Sequence, residues 1–242
     1  MSVADISVSI IIPAFNEEAN IADALASIAK AVDGLTDDYE ILVFNDGSKD
    51  RTGTIVREKC ENNDKIKLIV FEKNMGYGHI VKEGIRLASK KYLSIFHGDN
   101  DMAWESTRDL IIHSQEADII TAYMKDTKKR PLSRRVISRL FVLMMNSFFG
   151  MRLRYFNGPF ICPCALLRSI PLKSSGLTVV AEAKIRLIKK KYRYQEISFE
   201  HTGRVGGKST AISGKSLMAV ISAVIILWKD VYFSKGPKAE YV

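Results

Sequence analysis

Apolar and polar stretches alternate regularly over the first 124 residues. Continuous apolar runs at 6–12, 39–44, 66–71, 92–97 and 118–123 predict strands. Helical patterns at 17–31, 50–63, 77–90 and 104–115 fall between them. The alternation predicts an α/β fold with a mostly parallel, doubly wound sheet. Strands covered by helices on both faces have no polar side, which is why they read as unbroken apolar runs. A basic break at 125–131 follows. Beyond it the chain predicts a helix over 132–151 capped by Gly150, a turn at Asn157-Gly158-Pro159, and a strand over 160–167. A helix over 179–191, a strand over 193–200, a Gly-rich basic loop over 201–210 and an apolar helix over 215–233 complete the pattern. We divide the chain into an α/β domain at 1–210, including the 132–151 helix, and a C-terminal apolar helix and tail at 211–242.

Three strands end in polar residues: Pro13-Ala14-Phe15-Asn16-Glu17-Glu18, Asn45-Asp46-Gly47-Ser48 and His97-Gly98-Asp99-Asn100-Asp101. In open α/β sheets ligands bind beyond the carboxyl ends of the strands. A carboxylate at Asp46 suits a base imino group or a ribose hydroxyl, while Ser48 or Asp50 suits the cap of the next helix. His97, Asp99 and Asp101 occupy alternate positions, which share a face in extended backbone. Two carboxylates and an imidazole suit Mg2+ or Mn2+, which would bridge diphosphate oxygens. The same Asp-Asn-Asp cluster is also ordinary loop chemistry. Gly76 and Gly78 open a helix, either as a phosphate cradle or as a tight strand-to-helix turn. Val81 stands where a dinucleotide fingerprint needs its third glycine. Arg204 and Lys208 lie on the Gly-rich loop, which could close over a diphosphate or simply be solvated.

Charge sharpens this picture. Residues 1–124 hold 13 Lys/Arg against 21 Asp/Glu, and residues 125–242 hold 23 against 6. The basic half calls for an anionic partner: a phosphorylated ligand, an anionic membrane surface or nucleic acid. Nucleic acid is disfavoured, because no aromatic stacking pattern or known motif accompanies the charge. The 132–151 helix mixes Arg134, Arg135 and Arg139 with a wide apolar face, which reads equally as a membrane-surface helix or as a core helix with solvated arginines. Cys60, Cys162 and Cys164 have no framework spacing and read as reduced core thiols. No signal peptide is visible. The longest apolar run, 217–228, would span roughly 18 Å as a helix, short of a ~30 Å hydrocarbon core. It would meet either a membrane surface or a second subunit in a homodimer.

These motifs, in this order, resemble the family 2 glycosyltransferases, especially the dolichol- and polyprenyl-phosphate mannosyl or glucosyl synthases. The resemblance covers about residues 6–210 and implies a nucleotide-sugar-binding fold of the GT-A type. It implies donor contacts from Pro13, Ala14, Phe15, Glu17, Asp46, Ser48, Gly76 and Gly78. The metal ligands would be Asp99 and Asp101, with His97 standing where relatives carry the first Asp of Asp-x-Asp. Arg135 and Ser138-Arg139 resemble the interface-helix motif that meets a lipid phosphate, with Asn157 beside it. Arg154-Tyr155-Phe156-Asn157-Gly158 replaces the usual Asp-Pro-Thr-Ser-Gly. Arg204 and Lys208 resemble a late loop that, with Asp99 and Asp101, would stabilise the leaving diphosphate. The implied activity is inverting, metal-dependent transfer of a hexose from a nucleotide diphosphate sugar to a dolichyl or undecaprenyl phosphate at the cytosolic membrane face. Two alternatives stand beside it. One is transfer to a sugar or lipid hydroxyl with Glu182 as base, and the other is a nucleotide-sugar-binding protein without catalysis.

Overall fold

The computed structural model describes residues 6–127, 131–200 and 214–233. A seven-stranded sheet organises them in the order β3-β2-β1-β4-β6-β5-β7. β1 (Val8–Ala14), β2 (Tyr39–Asp46), β3 (Ile66–Phe71) and β4 (Tyr92–Ile95) run parallel. β6 (Phe160–Pro163) is antiparallel to both β4 and β5 (Ile119–Met124), and β7 (Tyr194–Phe199) is parallel to β5. Two reversals restore the direction. The carboxyl ends of β1, β2, β4, β5 and β7 therefore share one edge of the sheet, as in the GT-A fold.

Alternation along β1 splits the core. Ile10 and Ile12 pack on one face with Ile28 of α1 (Ile21–Val32), Val56 of α2 (Thr52–Glu61) and Leu110 of α4 (Trp104–Ile112). Ile11 packs on the other face with Ile80 and Val81 of α3 (Tyr77–Leu87) and Val180 of α7 (Thr178–Lys189). Both faces of β1 are thus dry, as its unbroken apolar run predicts. A third cluster joins α5 (Leu132–Phe149), α7 and α8 (Gly214–Phe233) through Met145, Phe149, Ile185, Val224 and Leu227. Gly150 ends α5 in the left-handed conformation, φ 57°. The C-terminal helix shares this cluster with α5 and α7.

The expected strand over 160–167 is half right. Pro163 ends β6, and a short helix α6 (Cys164–Arg168) takes the remaining residues. Proline cannot donate to a ladder but is well placed just ahead of a helix. Cys162 and Cys164 are buried free thiols, and burial pushes the Cys164 thiol up to about 11. Among the described residues no helix is long and apolar enough to cross a membrane.

Candidate active site

The acidic half of the rim is assembled by loop-to-loop hydrogen bonds. Ala14 lies in register with Asn45, so the loops after β1 and β2 leave the sheet together. Asn16 N donates to Ser48 Oγ (3.0 Å), and Lys49 N donates back to Asn16 Oδ1 (2.9 Å). Glu18 N donates to Asp50 Oδ2 (3.1 Å), while Arg51 N donates to Glu18 Oε2 (3.0 Å). Asp50 also accepts from Thr52 N and Oγ1 at the start of α2. Burial opposes its charge, but these hydrogen bonds more than offset that and hold its carboxyl below the usual range. Glu17 accepts from Asn20 Nδ2 at the entry to α1, and its own N–H donates to Thr52 Oγ1. Pro13 is half-buried and Ala14 buried, whereas Phe15 stands exposed at the rim.

Asp46 is buried and reaches across to the next loop. Oδ1 accepts from Met75 N at 2.7 Å, and Oδ2 accepts from Gly76 N at 3.0 Å. Gly76 has φ 87°, a conformation that favours glycine. Gly78 N donates to the Ser175 carbonyl at 3.1 Å, and a Cβ on Gly78 would fall 2.4 Å from the Ser175 carbonyl carbon. Asp46, Gly76 and Gly78 thus share one tight junction between β2, α3 and the loop before α7.

The metal-ligand candidates follow β4. Phe96 N donates to Ile11 O (2.9 Å) and Gly98 N to Pro13 O (3.3 Å), so the chain continues alongside β1 to its end. Asp99 therefore leaves the sheet beside Ala14, one strand from Asp46. Ala103 N donates to Glu200 O (3.2 Å), which ties the far end of this loop to the end of β7. The His97 ring lies nearly parallel to that of Tyr77, with centroids 5.8 Å apart. Burial, with the Asp101 charge nearby, raises the Tyr77 phenol above its usual range. Among the described residues no three His, Cys, Asp or Glu side chains form a cluster able to hold a metal. His97 is thus not gathered with Asp99 and Asp101 into a three-ligand cage. Mg2+ is ordinarily held by one or two carboxylates together with substrate phosphates, and Asp99 and Asp101 fit that donor set.

On the same edge, beside β5, lies a cleft of roughly 400 Å³. Tyr123 and Met124 close it from the strand end, Arg135, Arg139 and Val142 from α5, and Arg154 and Tyr155 from the chain before β6. The structure thus brings Arg135 and Arg139 together with Ser138, but Asn157 is exposed and does not line the cleft. Arg204 and Lys208 lie outside the described residues.

Two charged residues of α7 are buried: Glu182, the base candidate for a hydroxyl acceptor, and Lys184, which the sequence did not single out. Glu182 is buried, accepting from Lys173 N, Ser174 N (2.7 Å) and Arg186 Nε (2.8 Å). It anchors the loop whose Ser175 touches Gly78. Lys184 is fully buried and donates to the Gly158 carbonyl at 2.7 Å. Burial pulls its ammonium down to about 7, against the opposing pull of Glu196 and Cys162. A lysine in a helical stretch carries no sequence mark of such burial.

The comparisons agree with this architecture. Residues 9–173 match glycosyl transferase family 2, and the chain belongs to that family. It is 27% identical over 232 residues to the dolichol-phosphate mannosyltransferase of Pyrococcus furiosus, covering 92% of this chain and 64% of that protein. It is 32% identical over 102 residues to the dolichyl-phosphate beta-glucosyltransferase of Dictyostelium discoideum, covering 39% of this chain and 31% of that one. The chain spans less than two thirds of the length of the curated relatives it matches. Its fold resembles glucosyl-3-phosphoglycerate synthase from Mycobacterium tuberculosis, solved with Mn2+ and uridine diphosphate. The TM-score is 0.69 at 18% identity, over 94% of this chain and 80% of that one.

Proposed function

We propose that this chain transfers a hexose, with inversion, from a nucleotide diphosphate sugar to a polyprenyl phosphate at the cytosolic face of a membrane. The observation that carries the reading is the juxtaposition on one sheet edge. A rim carrying Asp46, Asp99 and Asp101 lies beside a cleft carrying Arg135 and Arg139. The nucleotide would occupy the loops after β1 and β2, between Phe15 and the Asp46–Gly76 junction, with Pro13, Ala14, Glu17, Ser48 and Gly78 shaping its seat. Asp99 and Asp101 would hold Mg2+ or Mn2+, which when bound neutralises charge on the diphosphate leaving group. Arg204 and Lys208 would add positive charge to the same group.

The acceptor phosphate would enter the cleft against Arg135 and Arg139, with its chain along Met124, Val142 and Leu143. A phosphate oxygen is anionic at neutral pH, so it attacks without a strong general base. Glu182, the base candidate for a hydroxyl acceptor, is buried and already accepts two backbone amides and a guanidinium. That occupation favours the phosphate acceptor over the hydroxyl.

The membrane reading rests on α5. Leu132 is 69% exposed, Leu143 64% exposed, and Val136 and Leu140 lie exposed between them at helical spacing. This stripe adjoins the arginine face of the same helix. Liposome sedimentation tests it: recovery with anionic vesicles supports membrane seating, and vesicle-independent dimerisation without recovery favours a subunit interface. Transfer is tested by offering labelled nucleotide sugars with a short isoprenyl phosphate and Mn2+. Formation of a glycosyl isoprenyl phosphate supports the proposal. Donor binding without turnover on any isoprenyl phosphate overturns it.

A further inference from the structure

The geometry points to Arg154 as a specificity-determining residue that makes the cleft select a doubly charged phosphate monoester. This inference rests on the reading of the cleft as the acceptor site and adds to it a third ligand, on a different segment from α5.

Arg154 is held from several sides. Its backbone N–H donates to Glu196 Oε1 on β7 at 2.8 Å. Its guanidinium lies over the Tyr123 ring, 4.4 Å from the centroid. The preceding Leu153 is gripped by Asn146 of α5, whose Oδ1 accepts from Leu153 N (3.0 Å) and whose Nδ2 donates to Leu153 O (2.9 Å). Four residues on, Lys184 holds the Gly158 carbonyl. β7, α5 and α7 thus fix the 153–158 segment, and Tyr123 supports the guanidinium at the cleft wall.

The charge there is uncompensated. Arg135, Arg139 and Arg154 line one cleft, and among the described residues no acidic side chain lines it with them; the nearby Glu196 carboxylate is engaged by the Arg154 backbone N–H. None of the three forms an ion pair among the described residues, whereas Arg86, Arg186 and Arg193 each do. Nε of Arg135 is buried without a hydrogen-bond partner among the described residues. A buried donor left unpaired and three convergent cations without an acid both mark a place for an anion. Three guanidinium groups suit a phosphate dianion, whose terminal oxygens can each accept charge-assisted hydrogen bonds. A hydroxyl or a singly charged ester would leave part of that charge unmatched. The monoester could end a lipid chain or belong to a small soluble molecule, since both present the same terminal group.

Calorimetric titration of the full chain tests this. The probes are a short isoprenyl phosphate, its monomethyl ester (which carries one charge at most) and glycerol phosphate. Wild type, Arg154→Gln, Arg154→Lys and Arg135→Ala are compared. The wild type should bind the isoprenyl monoester at least about tenfold more tightly than its methyl ester. Arg154→Gln should weaken monoester binding about tenfold and remove most of that preference, with nucleoside diphosphate binding unchanged. Arg154→Lys should recover part of it, because an ammonium keeps the charge but loses the fork. The wild-type preference should also fade below about pH 6, as the monoester takes up its second proton. Arg154→Gln should flatten that pH dependence, whereas a merely structural arginine would leave it in place. If Arg135→Ala weakens monoester binding and Arg154→Gln leaves affinity and preference untouched, the assignment of Arg154 is wrong while the cleft remains the acceptor site. If neither variant changes binding, both fall. If glycerol phosphate binds with the same Arg154 dependence and the isoprenyl phosphate does not, Arg154 stands and the lipid acceptor falls.

Discussion

Asp46, at the end of β2, and Arg135, beside the end of β5, stand on the same sheet edge in opposite chemical situations. Asp46 accepts two backbone amides from the loop before α3. Asp50 accepts the Glu18 and Thr52 amides, and Glu18 accepts the Arg51 amide, which ties the loops after β1 and β2 together. Among the described residues, Arg135 and Arg139 line their cleft with no acidic side chain in its wall. The loops after β1 and β2 meet these polar groups within the protein, so under the proposed function they would be ordered before a nucleotide arrives, with little ordering cost left at binding. The second leaves Arg135 Nε buried without a hydrogen-bond partner among the described residues, so an anion bound there would gain charge-assisted contacts. Under the proposed function, donor recognition would be built from backbone order, and acceptor recognition from unmatched charge.

Three changes break or sharpen that contrast. The largest effect belongs to Asp101→Asn. It should lower kcat by about two to three orders of magnitude, comparable to removing a group that stabilises developing charge. The melting temperature and isoprenyl phosphate binding should be unchanged, and chelation should abolish wild-type turnover until Mg2+ or Mn2+ is restored. Normal turnover by the variant would remove Asp101 from the metal site. Asp46→Asn comes next. One carboxylate oxygen becomes an NH2 facing a backbone N–H, which should cost about 1–3 kcal/mol of stability and weaken nucleotide binding. Affinity for the acceptor should not move. A matched loss on both sides would show that the two regions are not independent.

The smallest effect is a slope. Lys184 titrates near 7 in the folded chain and at the ordinary lysine value of 10.5 when unfolded. Between those values the unfolded chain binds more protons. Wild-type stability should therefore rise with pH relative to Lys184→Met, by no more than about 1.4 kcal/mol per pH unit. Below pH 7 the difference should level off. Urea unfolding at pH 6 to 9 reads this directly, and a constant difference across the range would contradict it.

Much of the acidic rim was legible because each of its strands is a mainly apolar run, interrupted only by Ser9, Glu40 and Ser94, ended by polar turn residues. β1, β2 and β4 needed no long-range information to be seen, and the family motifs fall at their ends. The region beyond β5 was harder to read. β6 has only four residues, Pro163 included, too few for any period to show its direction. Arg154 looks like one arginine in a basic stretch, and its place depends on Glu196, 42 residues away, and on Asn146, which holds the neighbouring Leu153 from 7 residues away. Lys184 is indistinguishable from a solvated helical lysine until α7 is packed. Gly76 and Gly78 suggested a phosphate cradle, but the structure also gives them local reasons: a positive φ and the close approach of Ser175. His97 stands at ligand spacing in the sequence, but its contact with the Tyr77 ring, made between the loop after β4 and the start of α3, has no mark there.

The central claim is that donor and acceptor meet on one edge, with β5 two strands from β4, a separation on the order of 10 Å. Paramagnetic relaxation of the 31P signal of a bound isoprenyl phosphate, with Mn2+ and a nucleoside diphosphate present, measures that separation. The account predicts strong broadening consistent with roughly that distance, relieved when Mg2+ replaces Mn2+ and lost in Arg135→Ala. A bound acceptor whose phosphorus signal is unaffected by Mn2+ would place the two ligands on separate surfaces and contradict the account.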